Sequence, residues 1–101
     1  MQADFQYMVD FTLPEMLSEE FMGMIPFQRA KVNRLFRDGK LVNYALSLEH
    51  SKMWAVFNAN SENEVLDIVK ELPLSKFMSV QISMLTFYNS LNEEMPVFSL
   101  N

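Results

Sequence analysis

Phe5, Tyr7, Val9 and Phe11 alternate with Gln6, Met8, Asp10 and Thr12. That period of two predicts a strand over residues 5–12, closed by Leu13-Pro14. Ser18 then offers a helix cap, with Glu19 and Glu20 in the first turn, where the positive end of a helix favours carboxylates. Phe21, Ile25, Gln28, Val32 and Leu35, with Phe36 beside it, recur at spacings of three and four, which is one helical face. Pro26 lies inside that pattern. Having no N–H to donate, it predicts a kink or interruption over residues 22–25. Gly39, after Arg37 and Asp38, is placed to end the helix. Alternation returns over residues 41–48, with Val42, Tyr44, Leu46 and Leu48 on one face. Polar residues 49–52 read as a hairpin loop and residues 53–59 as a third strand. Ser61, answered by Glu64, forms a capping box. The helix it opens turns Val65, Leu66, Ile68, Val69 and Leu72 inward, and Pro73 stops it. Residues 78–86 alternate once more, with Met78, Val80, Ile82 and Met84 opposite Ser79, Gln81 and Ser83.

The order is β-α-β-β-α-β, which predicts an α+β fold of the ferredoxin-like split type: a four-stranded antiparallel sheet with two helices on one face. Residues 1–90 form this single domain and residues 91–101 a C-terminal tail. The strands carry apolar side chains on both sides (Trp54 and Val56 against Ala55 and Phe57), so the uncovered face predicts a sheet-to-sheet homodimer or a higher homo-oligomer. Val97, Phe98 and Leu100 make the tail apolar. Residues 96–100 are expected to pack on a neighbouring subunit as an added edge strand; a frayed terminus is the plain alternative.

Composition sharpens this picture. Half of the 101 residues are hydrophobic, with 9 Phe and 9 Met. That is rich for so small an interior, and it leaves apolar surface for a partner or a soft cavity for a ligand. The net charge of −5, with acidic and basic residues interspersed, argues against sequence-independent nucleic-acid binding. The chain has no cysteine, which excludes disulfides, thiolate catalysis and Cys-ligated metals. A single histidine without clustered carboxylates gives no metal signature. No apolar run approaches the roughly 18 residues of a membrane span. The opening Met1-Gln2-Ala3-Asp4 lacks the basic and apolar regions of a signal peptide, so the expected compartment is the cytoplasm.

Three segments, in order, resemble the muconolactone delta-isomerase family. "VDFTLPEM" (residues 9–16) is similar to its first strand and the Leu-Pro that follows. "RDGKL" (37–41) is similar to its helix exit into strand two. "SENEVLDIVKELPLSKFM" (61–78) is similar to its second helix and the Leu-Pro-Leu corner. The resemblance covers residues 5–85. It implies a ferredoxin-like fold, dimers joined through their sheets, and a shift of a ring double bond in an unsaturated lactone by proton transfer, with no cofactor and no metal, within aromatic catabolism. Asp10 matches the family pattern. Where that pattern has a histidine, a glutamate, an arginine and an acid, this chain has Gln6, Gln28, Leu46 and Gln81.

Such a double-bond shift needs a base, an acid and a cation for the substrate's carboxylate. Asp10 is the candidate base, on the strand face shared with Gln6; a paired structural aspartate is the alternative. His50 is the candidate proton shuttle, since imidazole titrates near neutrality, or it is solvated loop surface. Gln28 interrupts an inward stripe and must find a partner or line a cavity. Arg29 is the candidate cation, with a surface ion pair as the alternative, and Gln6 and Gln81 would extend a neutral polar lining for substrate. Two functions stay open: a cofactor-free isomerase acting on a small unsaturated lactone or cyclic acid, and a non-catalytic small-molecule-binding or assembly module on the same fold.

Overall fold

The structure, a computed structural model, describes residues 5–89. Strands β1 (Phe5–Thr12), β2 (Leu41–Ser47), β3 (Lys52–Ala59) and β4 (Ser79–Met84) alternate with helices α1 (Glu19–Arg37) and α2 (Glu62–Lys70) in the expected order. A short 3-10 turn, Ser75–Phe77, precedes β4. The sheet order is β2-β3-β1-β4 and every neighbouring pair is antiparallel. This is the ferredoxin-like α+β fold.

One face of the sheet is the core. Tyr7, Val9 and Phe11 of β1 and Met53, Ala55, Phe57 and Ala59 of β3 are buried against Phe21, Val32 and Leu35 of α1 and Val65, Ile68 and Val69 of α2. Each large side chain fully removed from water there contributes about 1.5–3 kcal/mol. The other face carries Gln6, Met8, Asp10 and Thr12 opposite Asn58, Val56, Trp54 and Lys52. The period of two in β1 thus assigns its residues to faces as the sequence predicts.

Ser18 caps α1, its side chain accepting from Phe21 N–H. Gly39 closes the helix at φ +73°, a left-handed conformation that glycine adopts without steric penalty. Lys40 N–H then reaches back to Leu35 C=O at 3.0 Å.

Three expectations are corrected. Helix α1 runs unbroken through Pro26. The carbonyl that loses its partner belongs to Met22, and Met22, Gly23, Pro26 and Phe27 are all exposed. Water can therefore replace the missing bond while the buried side of the helix stays regular. In β2 a bulge between Leu41 and Asn43 shifts the alternation. Leu41, Tyr44 and Leu46 pair with Phe57, Ala55 and Met53 of the core face, and Val42 falls in the bulge. Helix α2 ends before Pro73 is reached, its exit tightened by bonds from Glu71 N–H to Ile68 and Leu72 N–H to Val69. The edges also move: β2 stops at Ser47, β3 takes in Lys52, and β4 is shorter than residues 78–86. The expected packing of residues 96–100 lies outside the described residues.

Candidate functional site

A cavity of about 480 Å³ opens between α1 and the β2–β3 half of the sheet. Its walls are apolar, from Phe21, Ile25 and Val32 of α1, Leu46 and Met53 of the sheet, and Leu74 and Met78 beyond α2. The core-facing stripe of α1 forms the roof. The bulge in β2 decides which of its residues form the floor. Gln28 and Tyr44 are the polar groups facing each other across this space, with Arg29 and Asn33 also in the lining.

Gln28 is buried, at 4% exposure. Its Oε1 accepts from Leu74 N–H at 3.0 Å, and its Nε2 donates to Tyr44 Oη at 2.8 Å. The orientation of the amide follows from chemistry. A backbone N–H can only donate, so the atom facing Leu74 is the oxygen and the atom facing Tyr44 is the nitrogen. Gln28 thus ties α1, β2 and the Leu72-Pro73-Leu74 corner together. Burial pushes the Tyr44 phenol above its ordinary value, partly offset by the bond from Gln28. Tyr44 therefore stays neutral, with a proton to donate, at physiological pH.

The six residues singled out in the sequence fall in three places. Gln28 and Arg29 line the cavity. Gln6, Asp10 and Gln81 belong to the opposite face of the sheet, with Gln81 paired in register with Asp10. There Lys52 Nζ donates to Asp10 Oδ1 at 2.8 Å and to Thr12 Oγ1 at 3.0 Å. Gln6 Nε2 donates to Asn58 Oδ1 at 3.1 Å. His50 sits in the β2–β3 turn, its side chain 70% exposed and 3.8 Å from Glu49. The sheet thus separates Asp10 from Gln28.

Two contributors were missed. Tyr44 reads as one more apolar residue in an alternating strand; its inward position was the available signal. Lys52 reads as hairpin loop in the sequence, and only the strand register places it beside Asp10. Among the described residues no group of three or more His, Cys, Asp or Glu side chains could hold a metal ion. No described helix is long and apolar enough to cross a membrane.

A split βαββαβ sheet with a largely apolar cavity beneath its first helix places the chain among the small ferredoxin-like α+β proteins. The family model for muconolactone delta-isomerase matches residues 4–90, and the chain belongs to that family. Among solved structures, a crystal structure of muconolactone isomerase superposes with a TM-score of 0.68 over 85% of this chain and 93% of that one, at 22% identity, a likeness of fold. No curated protein matches the sequence significantly.

Proposed function

We propose that this member of the family binds a small cyclic acid or lactone in the α1 cavity and does not turn it over. The observation that carries this reading is the neutral Leu74–Gln28–Tyr44 chain in a largely apolar space. A double-bond shift needs a group that takes a proton. Among the described residues the lining holds no carboxylate and no imidazole, and its phenol, Tyr44, is kept neutral by burial. The volume lies within the roughly 300–1,000 Å³ of small-molecule pockets. Met22, Met53 and Met78 can adapt to an irregular ring, and the exposed Arg29 offers a cation to a ligand carboxylate. A panel of unsaturated lactones and cyclic acids, scored in parallel by melting temperature and by proton NMR, tests this. We expect at least one compound to raise the melting temperature while its spectrum stays unchanged. Appearance of an isomerised product would overturn the non-catalytic reading.

A second reading, the cofactor-free isomerase, is favoured by one observation. Asp10, Lys52 and Gln81 bring a carboxylate, a cation and an amide together on the opposite face, beside Trp54. If turnover is found, Asp10→Asn should abolish it; turnover persisting in that variant would remove Asp10 as the base. We also propose that this face, opposite both described helices and with Met8 and Trp54 half-buried upon it, carries a homodimer contact.

A further inference from the structure

The direction of the hydrogen bonds around Gln28 has a chemical consequence for the cavity. Leu74 N–H fixes the amide oxygen, the amide nitrogen then donates to Tyr44, and the Tyr44 oxygen is held as an acceptor. A phenol has one hydrogen to give, and no described residue accepts it. Both side chains border the cavity. We infer that Tyr44 is the ligand-orienting donor of this cavity and Gln28 the residue that positions it, so that the site selects ring compounds bearing a hydrogen-bond acceptor, such as a ketone, a lactone carbonyl or a carboxylate, over hydrocarbons of the same shape. This rests on the ligand-binding reading above and names the chemistry its ligand must carry.

Apart from Gln28, Tyr44, Arg29 and Asn33, the lining offers shape and apolar contact, which an alkene satisfies as well as a ketone does. A donor in an apolar site is different. Left without an acceptor it is unsatisfied, and pockets built to hydrogen-bond a ligand discriminate against analogues that lack the matching group. Desolvation of Tyr44 keeps the phenol protonated well into the alkaline range, so the donor persists across ordinary pH.

The test uses two isosteric probes, cyclohexanone and methylenecyclohexane, titrated into the full chain with the methionine methyls of Met22, Met53 and Met78 as reporters. The quantity read is the ratio of the two dissociation constants, in which shape and packing largely cancel. Tyr44→Phe should shift that ratio against the ketone by roughly tenfold, the value of one net hydrogen bond, while affinity for the alkene stays within about twofold. Gln28→Glu tests the positioning role. At about pH 5 a protonated carboxyl can still donate to Tyr44, so the preference should resemble that of the wild type. At about pH 9 an ionised carboxylate accepts the Tyr44 proton itself, and the preference should be lost. The wild type should show no such pH dependence. An unchanged ratio in Tyr44→Phe, or in Gln28→Glu at both pH values should Tyr44→Phe fail to fold, would overturn the inference while leaving the cavity a binding site. Failure of both probes to bind the wild type would overturn the binding reading, and the inference with it.

Discussion

Gln28 is where the fold and the candidate site meet. A single buried amide joins the roof of the cavity to its floor and to the corner that leads into β4. Gln28→Leu keeps the volume but leaves Leu74 N–H and the Tyr44 hydroxyl without their partner. Each stranded group costs about 1–3 kcal/mol, so the variant should lose a few kcal/mol in urea unfolding, well beyond an ordinary surface change. Its special position was legible in the sequence, because a glutamine in an inward helical stripe must be accounted for. Tyr44 was not legible in the same way. Alternation tells which face a strand residue occupies, but it does not distinguish a phenol that packs from one that bonds. Asp10 was assigned correctly to the face of Gln6, yet its partner Lys52 lay hidden in what read as a loop. Long-range partners of this kind depend on register, which the bulge and the turn set.

At the scale of elements, the capping signals were read most fully. Ser61 Oγ accepts from Glu64 N–H at 3.1 Å, and Glu64 returns a carboxylate oxygen to Asn60 N–H at 2.7 Å. Its other oxygen accepts from Lys40 Nζ at 3.0 Å. The Asn60 N–H first, then Lys40, hold the Glu64 carboxyl below its ordinary value. A lowered folded-state value means stability that is present above the ordinary carboxyl range and is lost as pH falls through the lowered one. The acid limb of a melting-temperature profile should therefore be shallower in Glu64→Gln than in the wild type; parallel limbs would show that the contact carries no such linkage. Pro26 makes the opposite case. Its pattern predicts a break, and the break is absent because its cost falls on a solvated carbonyl. The backbone there is already helical, so Pro26→Ala should restore a hydrogen bond and raise stability by about 1–3 kcal/mol, read as a higher urea midpoint. The bulge in β2 had no signal in the alternation of residues 41–48, because a bulge adds one residue without changing residue types.

For the whole molecule, the sheet is a partition. Its core face holds the cavity, and its other face holds the Asp10–Lys52 pair, Gln6–Asn58 and Trp54. Element order alone was enough to indicate this architecture, since two helices can cover only one side of four strands. Which side each candidate residue would join was only partly readable, and their division between two sites was not. If the face opposite the described helices joins two copies, Trp54→Glu should convert a dimer to monomer in sedimentation equilibrium, with the melting temperature falling at low protein concentration; a wild-type monomer at high concentration would end that proposal.

The central claim is that the ligand site is the α1 cavity and not the opposite face. A crystal structure of the full chain with cyclohexanone tests it most directly. The predicted result is a ring between Phe21 and Met53, with its oxygen within hydrogen-bonding distance of Tyr44 Oη and Gln28 still bonded to Leu74 N–H. A ring seated instead beside Asp10, Lys52 and Trp54, with the cavity empty, would contradict it.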